Sequence, residues 1–105
     1  MRIVFKQPGK APRSMIVPNT LDMLQQLVGG YIETAPFDDN GIVVICNEEG
    51  RLLQLEPNFF GAKAGSLFLG SCVLVRDDGG EDFESLTDDD VKKLMNILGG
   101  ATNET

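Results

Sequence analysis

NTLDMLQQLVGGYIETAPFDDNGIVVICNEEG, residues Asn19 to Gly50, decides the fold. Pro18 blocks strand pairing, and Asn19 or Thr20 can accept hydrogen bonds from the free N–H groups of the turn that follows. Leu21, Leu24, Leu27 and Val28 fall on one stripe at helical spacing with Asp22, Gln25 and Gln26 opposite, which predicts an amphipathic helix lying on a sheet. Gly29 supplies a left-handed stop. Tyr31 to Phe37 then reads as a strand that turns Tyr31, Glu33 and Ala35 one way and Ile32 and Thr34 the other. Asn40-Gly41 tolerates the positive φ angles of a type I′ turn, so a tight antiparallel hairpin with Ile42 to Cys46 is expected. The uninterrupted apolar run of that second arm implies a central position or burial on both faces.

Working outward, Arg2 to Gln7 has strand character, Pro8-Gly9 and Pro12 make a loop, and Ser14 to Val17 can return as its partner. Beyond the Asn47 to Gly50 turn, Arg51 to Leu55 offers a further strand. Glu56 to Ser66, with adjacent Phe59 and Phe60, has the weakest local signal and is a candidate functional loop. Leu67 to Arg76 reads as the last strand, with Gly70 marking a bulge or a close backbone approach. Thr87 and Asp90 form a capping-box pattern, and Val91, Leu94, Met95 and Leu98 trace a second helix that ends at Gly99-Gly100. The expected class is α+β: a mainly antiparallel sheet of about five or six strands with two helices packed on one face. One domain spans 1–100, and 101–105 is expected to be a flexible tail.

Composition removes several chemistries. The 105 residues contain no histidine, which excludes Ser-His-Asp and Cys-His catalysis and the usual zinc sites. The two cysteines, Cys46 and Cys72, sit inside apolar runs where a reduced thiol behaves as a small hydrophobe. No apolar run reaches the roughly 18 residues of a membrane span, and the first residues lack the apolar stretch of a signal peptide, so a cytoplasmic location is expected. Gly29-Gly30 follows a helix, where the dipole repels anions, so it is no phosphate cradle. Neither NEEG nor DDGGED has calcium-loop spacing, and no metal or cofactor is expected.

Charge is lopsided within a net of −7. Arg2, Lys6, Lys10 and Arg13 occupy the first 13 residues without an acid, whereas Asp77 to Asp90 holds eight acids and no base. A helix N-terminus accounts for Asp88, Asp89 and Asp90. The remaining acids form a candidate docking face for a basic partner: Asp77, Asp78, Glu81, Asp82 and Glu84, together with the Glu48 and Glu49 turn. Too few aromatic and basic residues accompany this acidic bulk for direct nucleic-acid binding. A small acidic protein can, however, occupy a nucleic-acid channel by presenting carboxylates where phosphates sit. A different reading gathers Tyr31, Glu33, Asn47 and Asn58 around a ligand pocket near the double glycine.

Five segments in combination carry a family resemblance: VGGYIE (Val28 to Glu33), CNEEG (Cys46 to Gly50), Pro57-Asn58, FLGSCVLV (Phe68 to Val75) and DFESLTDDD (Asp82 to Asp90). The chain resembles, over almost its whole length, an uncharacterised domain of small acidic proteins from phages, plasmids and conjugative elements. Where that pattern has a basic residue after the Pro-Asn pair, this sequence has Phe59. The resemblance implies an accessory protein acting on host machinery and supplies no catalytic residues. The expectation is a non-enzymatic protein that binds a host protein, such as a defence or nucleic-acid-processing enzyme, and inhibits it. The alternative is a ligand-sequestering domain, with an enzyme third. No membrane partner is expected, and a homo-oligomer is compatible with the pattern.

Overall fold

The computed structural model describes residues 1–100, so the expected tail at 101–105 lies outside the described residues. Seven strands and two helices follow in the order β1 (Arg2–Lys6), β2 (Arg13–Ile16), α1 (Leu21–Val28), β3 (Ile32–Pro36), β4 (Ile42–Asn47), β5 (Pro57–Gly61), β6 (Ser66–Leu69), β7 (Cys72–Arg76) and α2 (Asp88–Gly100). The main sheet has the order β2-β1-β7-β4-β3 with every pair antiparallel. Two hairpins, β1–β2 and β3–β4, thus dock on either side of a single late strand, β7. Its residues Cys72, Val73, Leu74 and Val75 are wholly buried.

The α+β class and the antiparallel five-stranded sheet are as the sequence predicts, but the helices are not on one face. Val4, Val44, Cys46, Cys72 and Leu74 pack with Val91, Leu94 and Leu98 of α2. Their strand neighbours Ile3, Phe5, Ile45, Val73 and Val75 pack with Leu24 and Val28 of α1. Side chains alternate across a strand, so these two sets lie on opposite faces and each needs its own cover. Apolar runs such as IVVIC and CVLV present both faces to the core, and two helices on one side would leave half of that surface in water.

The helix ends behave as their residues dictate. Thr20 Oγ1 accepts from the Met23 N–H at 3.2 Å, and Gly29 closes α1 at φ 81° while donating to the Gln25 carbonyl. Leu21, placed on the apolar stripe by spacing, is instead exposed in the first turn. At α2 the capping box is reciprocal: Asp90 N–H donates to Thr87 Oγ1 and Thr87 N–H to Asp90 Oδ2.

Three local expectations are corrected. Asn40 does not take a positive φ, so the β3–β4 connection is no type I′ turn; Gly41 alone does, at 94°, and Asp38 Oδ1 closes the loop by accepting from Asn40 and Ile42 N–H. Arg51 to Gln54 forms a hydrogen-bonded turn rather than a strand, with Gln54 at φ 55°, and the strand forms instead at Pro57–Gly61. Leu67 to Arg76 is two strands. Gly70, at φ 76°, breaks the run so that β6 pairs with β5 in a separate hairpin while β7 enters the main sheet.

That second hairpin lies on the α2 face. Phe59 and Phe68, 5.2 Å apart between ring centroids, join the core with α2, and Phe37 at the end of β3 meets Phe59 edge-on at 6.3 Å. A Cβ at Gly61 would run into the Phe68 ring, so glycine lets the two hairpin strands close over it.

Candidate functional site

Two regions of the surface combine exposure with a built framework: the acidic loop after β7, and the crevices on either side of the β5–β6 hairpin. In the first, the loop is closed at its base. Arg76 and Glu84 exchange backbone hydrogen bonds at 3.0 and 2.8 Å, and Asp77 N–H donates to the Gly41 carbonyl at 2.9 Å. Phe83 packs into the α1-face core, and its carbonyl accepts from Asn19 Nδ2. Asp77 Oδ1 caps the Gly79 N–H, which leaves Asp78, Glu81, Asp82 and Glu84 exposed to solvent.

Ion pairs among the described residues join Arg76 to Asp90, Lys93 to Asp38, Lys63 to Asp39 and Arg2 to Asp88. None takes in the acids of the 77–84 loop. Asp78 instead crowds Glu84, whose carboxyl is raised above its ordinary value first by a side-chain hydrogen bond shared with Asp78 and then by the repulsion beside it, with Arg76 opposing. The Glu48-Glu49 turn lies elsewhere. It follows the end of β4, while Asp77 follows the end of β7 that pairs with the start of β4 at Ile42↔Arg76. The six residues of β4 therefore separate the two acidic groups by about 20 Å along the sheet. The sequence placed them on one docking surface; the fold puts them at opposite ends.

Of the ligand-pocket candidates, Glu33 and Asn47 share a cavity of about 490 Å³ between the β3–β4 edge of the sheet and the hairpin. Asn58 lines a different cavity, about 560 Å³, between the hairpin and α2. Tyr31 lines neither and is 66% exposed. Asn47 is occupied structurally: buried, it donates from Nδ2 to the Val28 carbonyl and accepts the Glu49 N–H at Oδ1, tying the end of α1 to the β4 turn. Asn58 is likewise fully engaged, with Nδ2 donating to the Lys6 and Gly70 carbonyls and Oδ1 accepting from Lys6 Nζ.

The second cavity contains residues that sequence reading passed over. Lys6 is only 4% exposed, and its ammonium donates to the Gln7 carbonyl at 2.9 Å and to Asn58 Oδ1 at 3.2 Å. Burial pushes that ammonium below its ordinary value, with a smaller opposing influence from Cys72. The signal was present in alternation, because Lys6 shares a strand face with Val4, and both faces of β1 are covered. Phe37, Phe59, Phe60 and Ile97 complete the apolar lining, and the Lys93–Asp38 pair borders it.

The cysteines face each other. Extending the β4–β7 register by one from Ile45↔Val73 sets Cys46 opposite Cys72. Both thiols are buried and free. Burial, then the Glu33 carboxylate, pushes Cys46 up to about 11; burial, then Cys46, pushes Cys72 up to about 12. Both are protonated at neutral pH and poor nucleophiles. Among the described residues no group of three or more Cys, Asp or Glu is arranged to hold a metal ion, and no helix is long and apolar enough to cross a membrane.

A family model described as a domain of unknown function (DUF3846) matches residues 1–99. No curated protein and no solved structure matches the chain.

Proposed function

The chain belongs to the DUF3846 family of domains of unknown function, and from that premise we propose that it is a non-enzymatic accessory protein that binds a basic surface on another protein. The proposed contact is the loop of Asp77, Asp78, Glu81, Asp82 and Glu84. One observation supports it above the others: the loop is pinned at its base by the Arg76–Glu84 bridge and by Phe83, yet the carboxylates of Asp78, Glu81, Asp82 and Glu84 are exposed and outside the ion pairs of the described residues, with Asp78 crowding Glu84. Fixed like charges recruit a cationic partner without an ordering cost, and their mutual repulsion is relieved on contact. In the mobile-element setting that the sequence signature implies, the partner is a host enzyme whose basic groove handles nucleic acid, and the consequence of binding is inhibition in the cytoplasm. Glu48 and Glu49, at the other end of the sheet, have no part in that contact.

Affinity capture from host lysate with the tagged chain tests this, alongside a variant carrying Asp77→Asn, Asp78→Asn, Glu81→Gln and Asp82→Asn. The wild type is expected to retain a partner with a basic groove at low salt and release it as salt rises, and the variant to retain none. A variant that captures the same partner with the same salt dependence overturns the proposal.

A second reading, capture of a small molecule, draws its support from the cavity that Asn58 and Lys6 share, whose volume of about 560 Å³ falls within the range of ligand sites.

A further inference from the structure

We infer that the cavity between α2 and the β5–β6 hairpin binds a small amphipathic carboxylate, its head on the Lys6 ammonium and its apolar body against Phe37, Phe59 and Phe60. This ligand class gives chemical content to the small-molecule reading and rests on it; the acidic loop has no part in it.

A lysine as buried as Lys6 ordinarily has an opposite charge beside it. Here its partners are two neutral oxygens, the Gln7 carbonyl and Asn58 Oδ1, and it belongs to none of the ion pairs among the described residues. An ammonium has three N–H donors, so these bonds leave one for a ligand. The other charged groups of the cavity offset each other. Lys93 bonds Asp38 at 2.6 Å, and Asp38 also accepts two backbone N–H groups, so the uncompensated charge of the cavity is that of Lys6.

The geometry around the ammonium is fixed before any ligand arrives. Asn58 cannot turn, because its Nδ2 is committed to the Lys6 and Gly70 carbonyls, so its Oδ1 holds the ammonium in the cavity wall. Such preorganisation removes an ordering cost from binding. The rest of the lining is apolar, and Phe60 and Ile97 at its edge are 65% and 50% exposed, large hydrophobic surface that a ligand body would cover. One free donor suits a monoanion better than a phosphate, which draws on several donors or a guanidinium fork.

Phenylacetate and octanoate serve as probes, each compared with its neutral primary amide, titrated into the full chain and followed by the amide NMR signals of Asn58, Phe59 and Phe60. Each acid is expected to shift these signals and to bind at least about tenfold more tightly than its amide, and Lys6→Met to bring the pair to parity. Equal affinity of acid and amide in the wild type overturns the role of Lys6 while leaving ligand capture standing. Absence of any shift at these residues overturns both. The wild-type comparison decides the matter even where Lys6→Met fails to fold. Phe60→Ser, at an exposed position, is expected to weaken acid and amide alike, and unchanged affinity would remove the aromatic wall from the site.

Discussion

Arg76 ties together the β3–β4 turn, the loop after β7 and the start of α2: its Nε and Nη2 grip both oxygens of Asp90 at 2.6 and 2.8 Å, its Nη1 donates to the Asn40 carbonyl, and its backbone pairs with Glu84. The guanidinium holds the Asp90 carboxyl below its ordinary value, against the opposing effect of burial. At Asp38 burial is the largest single influence and acts to raise, yet Lys93 and the N–H groups of Asn40 and Ile42 together outweigh it. A carboxyl depressed in the folded chain contributes stability above its unfolded value, near ~3.9 for Asp, and that stability is lost as pH falls through the folded value. The melting temperature should therefore drop as pH is lowered past about 4. Asp90→Asn should cost about 1.5 to 3 kcal/mol at neutral pH and flatten that acid slope. Melts at stepped pH check both, and a slope unchanged in the variant would place the ionic contribution elsewhere. The glycine pair offers a second contrast. Gly29→Ala meets nothing within 4 Å and should cost only the backbone strain of a left-handed residue, about 1 kcal/mol. Gly30→Ala would place its Cβ 2.8 Å from Asn47 Nδ2 and should displace a buried amide, for about 1 to 3 kcal/mol. Urea unfolding distinguishes them; a harmless Gly30→Ala would mean that Asn47 has room to move.

At the scale of the elements, α1 with its cap and stop, the β1–β2 and β3–β4 hairpins, and α2 with its capping box were all legible, because each depends on neighbours within a few residues. What escaped depends on distant ones. Whether Leu67 to Arg76 is one strand or two turns on Gly70, whose Cβ would lie 2.7 Å from Leu55 Cδ1, a contact invisible in the local pattern. The placement of the helices was implicit in the apolar runs of β4 and β7: two buried faces require two covers, one per face. Leu24 and Leu94, 2% and 0% exposed, sit in those separate layers. Each truncation to Ala should cost about 2 to 5 kcal/mol. With the sheet between them and no shared neighbours, the double variant should equal the sum within about 0.5 kcal/mol. Chemical denaturation of the three variants checks this, and strong coupling would contradict separate layers. Leu27, only partly buried, should cost less than Leu24.

For the molecule as a whole, the sequence showed which charges cluster but not how far apart the clusters fall. Glu48-Glu49 and the 77–84 loop were joined by composition and are parted by the antiparallel pairing of β4 with β7. The Asn58 cavity was equally out of reach, since it forms only where a hairpin 50 residues from β1 closes over Lys6. The four substitutions in the acidic loop remove like charges that no core contact uses, so the variant should unfold within about 0.5 kcal/mol of the wild type. A larger loss in thermal melts would show that the loop serves the fold rather than a partner. The position of β7 also governs when the molecule comes into being. During synthesis both hairpins leave the ribosome before the strand that unites them, and two-stranded ribbons are marginal in water. The apolar residues of β1 wait unprotected for a partner about 70 residues later in the chain, so folding begins late and then engages every layer at once. Premature termination before Cys72 would leave no smaller version of this domain, only three unjoined ribbons with adhesive faces, prey to proteases and to each other.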